Sequence, residues 1–414
     1  MLRRSTWTLA DQGLWAVSNF GLGVLVARMV SPAEFGAFSV CFTLYLLAVG
    51  ASRAVASEPL LVRHSGRRDE HRAVAVAASA GLATAVGLGA GALVVAAGAA
   101  WSGSLGRTLM ALGVLLPALL LQDALRYGFL AAGRPEKAFV NDGVWAIAQV
   151  GLVLAASALM GRTAVTMVAA WAGAGAVAAL AGCVQAGVVP LLREGLAWGS
   201  AQRSLSGPFL AEFALTLGLQ QLILLAVVPL ASLEALGAVR AGQILLGPLR
   251  VVILSLAMVA VPEGVRFSED NRGSERGAAL FVSSLSVLCG LVYGGLAMAI
   301  PDRIGEHLLG RQWGPASRLL LPLVTAILAY AAMNGPLAGL RVLAAARQSL
   351  RARATGAALA LIAGVAGAAT HGAIGAAWGL AVAGLLSAAV YWWQFEDALG
   401  RARRRGALPG GEAG

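Results

Sequence analysis

The sequence has little charge and few reactive side chains. Charged residues make up 12% of the 414 positions and hydrophobic residues 58%, whereas about 25% of a soluble domain is charged. The three cysteines, Cys41, Cys183 and Cys289, lie in apolar runs and lack the spacing of metal ligands. We therefore expect packing cysteines, with neither a disulfide framework nor a zinc site.

Catalytic patterns are also scarce. The four histidines lie at the ends of apolar runs or in loops and form no recognisable triad with the scattered serines. Glycine-rich stretches such as 81–98 lack the strand-to-helix context of a phosphate-binding loop. The sequence therefore predicts no enzyme, no catalytic residue, no metal and no cofactor.

Apolar runs fill nearly the whole chain. A helix that crosses a bilayer needs about 20 predominantly apolar residues, and runs near this length recur between short breaks that carry arginine, glycine or proline. We predict an all-α, polytopic membrane protein with twelve spans. The predicted spans are 8–30, 35–56, 73–100, 107–130, 139–160, 164–185, 208–229, 235–258, 278–300, 316–340, 354–370 and 373–395.

Basic residues indicate the orientation of these spans. Most of the 31 Lys and Arg residues lie on one set of alternate loops, and such residues favour the cytoplasmic side. The sequence thus predicts that both termini are cytoplasmic and that the first apolar run is a retained span. Orientation accounts for the net charge of +11, so nucleic-acid binding is not needed to explain it.

The two halves of the chain resemble each other. A shift of 201 residues places Leu9-Ala10-Asp11 on Leu210-Ala211-Glu212, and Asn19 on Gln220. Duplicated bundles are common in transporters. We expect two parallel six-helix lobes around a central cavity: residues 1–189, a cytoplasmic linker at 190–207, residues 208–398, and a cytoplasmic tail at 399–414.

Acidic and amide side chains recur on one helical face in each half. Asp11 and Asn19 are eight residues apart, as are Glu212 and Gln220, which places each pair on one face of a helix. A carboxylate inside a membrane must face a cavity or a partner. Asp11 and Glu212 are thus candidates for binding a proton or cation; alternatively, they cap or anchor helices near the cytoplasmic interface.

Arginines within the spans suit an anionic ligand. Arg240, Gln243 and Arg250 follow one helical stripe in the eighth predicted span. Arg53 and Arg126 offer further positive charge near span ends. The alternative is that these arginines snorkel to headgroups.

Further polar residues accompany these arginines. Asp123 lies beside Arg126, and Asp142 belongs to a partly polar face with Asn141 and Gln149. Asp123 and Asp142 are added to the candidate ion-coupling residues. Interhelical hydrogen bonds explain the Asn141–Gln149 face equally well.

Several segments resemble the polysaccharide transporter family of oligosaccharide flippases. They are LADQG at 9–13, SPAEFG at 31–36, LGAVRAGQILLGPL at 236–249 and GAIGAAW at 372–378. That family belongs to the superfamily of multidrug and toxic compound extruders and lipid II flippases. The resemblance implies a rocking, alternating-access flippase in a bacterial inner membrane that carries polyprenyl-pyrophosphate-linked sugars to the outer leaflet. Its implied partners are that glycan, membrane lipid, and glycosyltransferases and a polymerase of a polysaccharide pathway.

Under this hypothesis, Arg240 and Arg250, with Arg53 and Arg126, offset the pyrophosphate charge. Gln243, Asn19 and Gln220 contact the substrate. Two alternatives remain open from the sequence: a multidrug or cation antiporter of the same superfamily, and a membrane scaffold for a glycan-assembly complex. An arginine-rich interior favours the flippase over the antiporter.

Overall fold

The computed structural model describes residues 2–65, 71–249, 253 and 275–404, and these ranges contain helices and turns but no β-strand. Long helices account for most of the first half of the chain, and this half ends in several shorter helices. In chain order they are α1 (Leu2–Met29), α2 (Pro32–Ser52), a π-helix (Arg53–Ser57), α3 (Glu58–His64), α4 (His71–Ala100), α5 (Gly103–Ala131), α6 (Pro135–Leu159), α7 (Ala164–Ala186), α8 (Leu192–Ala201), α9 (Arg203–Phe213), a second π-helix (Ala214–Gly218) and α10 (Leu219–Leu230).

The second half is helical as well within the described ranges. Its elements are α11 (Leu233–Leu245), α12 (Glu275–Met298), α13 (Asp302–Leu309), a 3-10 turn (Gly310–Gln312), α14 (Trp313–Ser317), α15 (Leu320–Val342) and α16 (Ala346–Arg404).

Helix ends are encoded by local capping residues. The hydroxyls of Ser31, Thr163 and Ser232 each accept a hydrogen bond from the backbone N–H three residues later, at the first turns of α2, α7 and α11. Such bonds satisfy N–H groups that have no partner within the helix. Gly187 ends α7 with a left-handed φ of 67°, a conformation that costs glycine little.

The chain divides into two compact units, Met1–Leu225 and Ala226–Gly414. Unit 1 contains α1 to α9, the two π-helices and the start of α10. Unit 2 contains the rest. The lobe boundaries expected from the sequence stay predictions.

The apolar runs correspond to helices. Within the described residues, nine helices are long and apolar enough to cross a membrane. The longest, Ala346–Arg404, contains the last two predicted spans, separated by non-helical backbone at His371 and Gly372. The predicted span 235–258 begins in α11, and most of it beyond Leu249 lies outside the described residues. The all-α, polytopic membrane fold is confirmed.

Two local expectations were incomplete. The segment 190–207, predicted as a linker, is largely helical, because α8 and the start of α9 lie within it. The second predicted span, 35–56, extends as continuous helix to His64 through the π-helix Arg53–Ser57. Pro59 lies in the first turn of α3 and has no backbone N–H to donate to a carbonyl of the preceding turn.

Close packing of α4 on α5 depends on glycine. A Cβ atom at Gly91 would lie 2.4 Å from the carbonyl oxygen of Gly113, and one at Gly113 would lie 2.6 Å from the carbonyl oxygen of Gly91. Small residues of this kind let membrane helices approach closely.

We predict that Gly91→Leu lowers the thermal unfolding midpoint of the detergent-solubilised protein, because overpacking costs about 1–3 kcal/mol. Gly89→Leu is the matched control on the same helix, since nothing lies within 4 Å of a Cβ at Gly89. Equal midpoints for the two variants would contradict the packing described here.

Candidate functional site

A cluster of charged side chains lies inside unit 1, and α5 carries its centre. Gln122, Asp123 and Arg126 on α5 are all buried. Residues three and four apart lie on the same side of a helix, so these side chains point to one region between α1, α2 and α6. The cluster therefore results from the spacing on α5 together with single residues from the neighbouring helices.

Arg126 pairs with two carboxylates from other helices. Its Nη2 donates to Oδ2 of Asp11 on α1. Its Nε lies 2.9 Å from Oδ2 of Asp142 on α6, although these two atoms do not meet hydrogen-bond geometry. The side chains are 6% exposed for Arg126, 0% for Asp11 and 5% for Asp142. The guanidinium thus joins α1, α5 and α6 through buried ionic contacts.

Amide side chains fix the position of Asp142. Gln122 Nε2 donates to Oδ1 of Asp142 at 2.9 Å and to Oδ1 of Asn141 at 3.1 Å. Asn141 Nδ2 in turn donates to the Ala178 carbonyl oxygen on α7 at 2.8 Å. The polar face expected around Asn141 therefore forms interhelical hydrogen bonds and also supports a carboxylate of the cluster.

Arg53 forms a second ion pair at the start of the π-helix. Its Nη2 and Nε donate to the two oxygens of Asp123 at 2.6 and 2.9 Å. Its guanidinium lies 5.3 Å from the ring centroid of Tyr127, within the range of a cation–π contact. The Arg53 side chain is 26% exposed while Asp123 is 5% exposed. Arg53 is thus held in place by a bidentate pair while part of it stays accessible.

The charges of this cluster do not cancel. Among the residues joined by these ion pairs, the guanidiniums of Arg53 and Arg126 face the carboxylates of Asp11, Asp123 and Asp142. When all five are ionised, one negative charge is in excess. Oδ1 of Asp11 is buried and makes no hydrogen bond with the described residues. A proton or small cation on a carboxylate would balance the cluster.

An aromatic column adjoins the charged cluster. Phe38, Phe42 and Tyr45 follow one face of α2, and each packs on Trp171 of α7 with ring centroids 5.1–6.1 Å apart. Trp145 of α6 stacks on Trp171 at 6.4 Å and donates to its carbonyl oxygen at 3.3 Å. These rings exclude water from the centre of unit 1 and so strengthen the ionic contacts beside them.

Three predicted site residues of unit 1 lie outside this cluster. Asn19 donates to the Trp15 carbonyl oxygen of its own helix at 2.8 Å. Glu212 and Gln220 are both exposed, whereas Asp11 is buried, and the role expected for Glu212 stays a prediction. The π-helix Ala214–Gly218 lies between them.

Unit 2 contains the remaining predicted residues. Arg240 is half-buried and its Nη1 donates to Oε1 of Gln243 at 3.2 Å. The two therefore share a face of α11, as their spacing predicts. Arg250 lies outside the described residues.

The sequence reasoning missed Tyr127, which contacts Arg53. Tyr127 follows Asp123 by four residues on one helix, and this spacing predicts that the two side chains share a face. The reasoning also gave no pairing between Arg126 and Asp11, because 115 positions separate them.

The fold of the chain is similar to that of several transporters of known structure. The inward-facing conformation of a multidrug resistance MATE family transporter of the MOP superfamily gives a TM-score of 0.71 at 12% identity, covering 96% of this chain and 99% of that chain. The lipid II flippase MurJ in an inward closed conformation gives 0.72 at 10% identity, covering 97% and 91%. A MOP superfamily transporter from Pyrococcus furiosus gives 0.56 at 14% identity, covering 96% and 95%.

No protein-family model and no curated protein matches the sequence. The structural likeness therefore shows the fold: the chain is a multi-pass membrane protein with the all-α architecture shared by MATE transporters and MurJ. The similar structures belong to transporters and a flippase, not to enzymes.

We predict that Arg126→Gln destabilises the protein strongly, because removing one partner of a buried ion pair costs about 3–5 kcal/mol. The control is Arg401→Gln, which breaks an exposed bidentate pair with Asp397 that is worth about 0–1 kcal/mol. Thermal unfolding in detergent checks both variants. A smaller loss of midpoint for Arg126→Gln than for Arg401→Gln would refute the role of the cluster in packing.

Proposed function

We propose that the chain is a flippase that moves a polyprenyl-pyrophosphate-linked oligosaccharide from the cytoplasmic to the outer leaflet by alternating access. The observation that carries this proposal is the pair formed by Arg53 and Asp123: a guanidinium that is held by a buried carboxylate, faces a tyrosine ring and remains 26% exposed. The likeness of the fold to MurJ, a lipid II flippase, supports a lipid-linked substrate.

Arg53 suits a phosphate ligand. The guanidinium is planar and presents five donors, so it binds phosphate oxygens in the same bidentate way as it binds carboxylates. In the described structure Asp123 accepts from Nη2 and Nε, and the Arg53 side chain is 26% exposed. Arg53 can therefore contact a pyrophosphate without releasing Asp123.

In this proposal the buried carboxylates couple transport to protons. The cluster carries one excess negative charge, and Asp11 and Asp142 lie against one guanidinium. Protonation of one carboxylate weakens its contact with Arg126 and lets α1 or α6 move relative to α5. Asp123 stays with Arg53 and serves substrate binding rather than coupling.

The other predicted residues keep proposed roles. Arg240 and Gln243 share a face of α11, and we assign them to anion binding; the same role for Arg250 rests on the sequence alone. Asn19 and Gln220 remain candidate contacts for sugar hydroxyls. Glu212 is exposed and is the weakest of the coupling candidates. We further propose a bacterial inner membrane, cytoplasmic termini, and glycosyltransferase and polymerase partners of a polysaccharide pathway.

A second candidate function is cation-driven export of a drug. The excess negative charge of the cluster and the likeness to a multidrug resistance MATE transporter favour it. Reconstituted protein that exports a cationic dye but does not move a polyprenyl-pyrophosphate sugar would support export over the flippase.

We predict that Arg53→Gln lowers the flipping of a fluorescent polyprenyl-pyrophosphate sugar in proteoliposomes by about 10- to 100-fold, since a hydrogen bond to a charged group contributes about 1.5–3 kcal/mol. The single variant also leaves Asp123 buried and unpaired. The double variant Arg53→Gln/Asp123→Asn restores a neutral pair and should recover thermal stability without recovering flipping. Recovery of both would show that Arg53 acts only in folding.

We also predict that Asp142→Asn removes the response of the flipping rate to an imposed pH gradient. The amide keeps the shape of the carboxylate and its contact with Gln122 but cannot exchange a proton. Asp397→Asn, on an exposed pair, is the control and should respond to the gradient as the wild type does. A gradient response that persists in Asp142→Asn and in Asp11→Asn would exclude coupling through this cluster.

A further inference from the structure

A groove lies in unit 1 between the π-helix Arg53–Ser57, α4, α8 and α9. Its volume is about 390 Å³. Val55, Leu82, Leu196 and Leu210 form its apolar lining, with small residues Gly199, Ser200, Ser206 and Gly207. Neither the ion pairs nor the aromatic column described above extend into it.

The walls of the groove are fixed by close backbone packing. A Cβ atom at Gly195 of α8 would lie 2.5 Å from the backbone nitrogen of Leu82 on α4, so the two helices touch through their backbones. Ser206 Oγ of α9 donates to the Val55 carbonyl oxygen of the π-helix at 3.2 Å. These two contacts join elements that line the groove, α8 to α4 and α9 to the π-helix.

The rim of the groove is apolar apart from one cation. Leu196 is 59% exposed and Leu210 is 40% exposed. Arg203, at the start of α9, is exposed and makes no ion pair within the described part of the chain. Among the described residues that line the groove, Arg203 carries the charge. Apolar walls with a single guanidinium at the rim match an amphiphile with a hydrocarbon chain and an anionic head.

The position and size of the groove select a bilayer phospholipid. The segment 190–203 belongs to the loops predicted to be cytoplasmic, and Leu82 lies eleven residues into α4, about 16 Å from its start at the usual rise per residue. If each chain group takes about 30 Å³, which is the share of one water molecule in the liquid, the 390 Å³ groove holds about a dozen groups. This is most of one fatty-acyl chain.

We propose that this groove binds one acyl chain of an anionic phospholipid of the cytoplasmic leaflet, with the lipid phosphate on Arg203. The lipid fills the space between α8, α9 and the π-helix that presents Arg53. This inference does not depend on which substrate the protein moves, and its failure would leave the flippase proposal intact.

The test is photo-cross-linking of the full-length protein in proteoliposomes with phosphatidylglycerol that carries a diazirine on one acyl chain. Cross-linked residues are mapped by mass spectrometry. We expect labelling at 196–210, and competition by unlabelled phosphatidylglycerol about fivefold better than by phosphatidylcholine, given the contribution of one basic residue near an anionic surface.

Substitutions test separately whether the groove binds the acyl chain and whether Arg203 binds the lipid phosphate. Gly207→Phe should abolish labelling of the groove, because a Cβ there meets nothing within 4 Å and the ring can enter the space; Ser200→Phe is the second variant if the first does not fold. Gly151→Phe, equally open on α6, is the matched control and should label as the wild type does. Arg203→Gln should remove the preference for phosphatidylglycerol, whereas Arg193→Gln, an exposed arginine on α8, should keep it.

Three outcomes would overturn the proposal. Labelling spread evenly over the lipid-facing helices would show no site. Labelling of 196–210 that is unchanged in folded Gly207→Phe would show that the chain lies elsewhere. Labelling by a diazirine polyprenyl phosphate but not by phosphatidylglycerol would assign the groove to a carrier lipid instead.

Discussion

The guanidinium of Arg126 is enclosed in the apolar interior of unit 1, where an unpaired charge costs several kcal/mol. The carboxylates of Asp11 and Asp142 lie against it and offset the free-energy cost of burying its charge. Because these residues belong to α1, α5 and α6, the requirement to pair one cation sets how three helices pack. The neighbouring pair of Arg53 and Asp123 adds α2 to the same arrangement.

A second polar contact constrains the opposite ends of these helices. The Glu34 carboxylate at the start of α2 accepts from Ser104 Oγ at 2.7 Å and from the Ala164 backbone N–H, so it bridges the N-terminal turns of α2, α5 and α7. Negative charge is favourable at helix N-termini. Between Glu34 and the charged cluster lies the aromatic column around Trp171.

The proposed function assigns both substrate binding and proton coupling to one cluster. Asp123 and Arg126 lie three residues apart on α5, so an anion that attracts Arg53 also alters the field at Arg126. Arg53 and Arg126 belong to separate ion pairs, and a proton on Asp11 or Asp142 acts directly on the second. Substrate and proton can thus act on α5 through different partners.

The sequence predicted the helices well and the site in part. Runs of apolar residues identify spans because the bilayer requires about 20 of them whatever their partners. The high cost of an ionised group in a span marked Asp11, Arg126 and Asp142 as candidates. Their mutual contacts could not be predicted, since packing between helices far apart in the chain determines them.

Internal symmetry did not reveal the irregular backbone that follows Glu212. The match between Asp11 and Glu212 places both in helices, but a π-helix, Ala214–Gly218, begins two residues after Glu212. Helix α8 was missed for a different reason: it is ten residues long and half-polar, so neither an apolar run nor a clear period indicates it. Local backbone irregularity and short surface helices are features that tertiary packing decides.

The central claim is that a surplus carboxylate in the Arg126 cluster exchanges a proton. Infrared difference spectroscopy of the purified protein, recorded between acidic and alkaline pH, tests it most directly, because a protonated carboxyl group in an apolar site has a resolved C=O stretching band. We expect one such band that titrates in the wild type and is lost in Asp11→Asn or Asp142→Asn. A wild-type spectrum with no titrating band, or a band unaffected by both substitutions, would contradict the account.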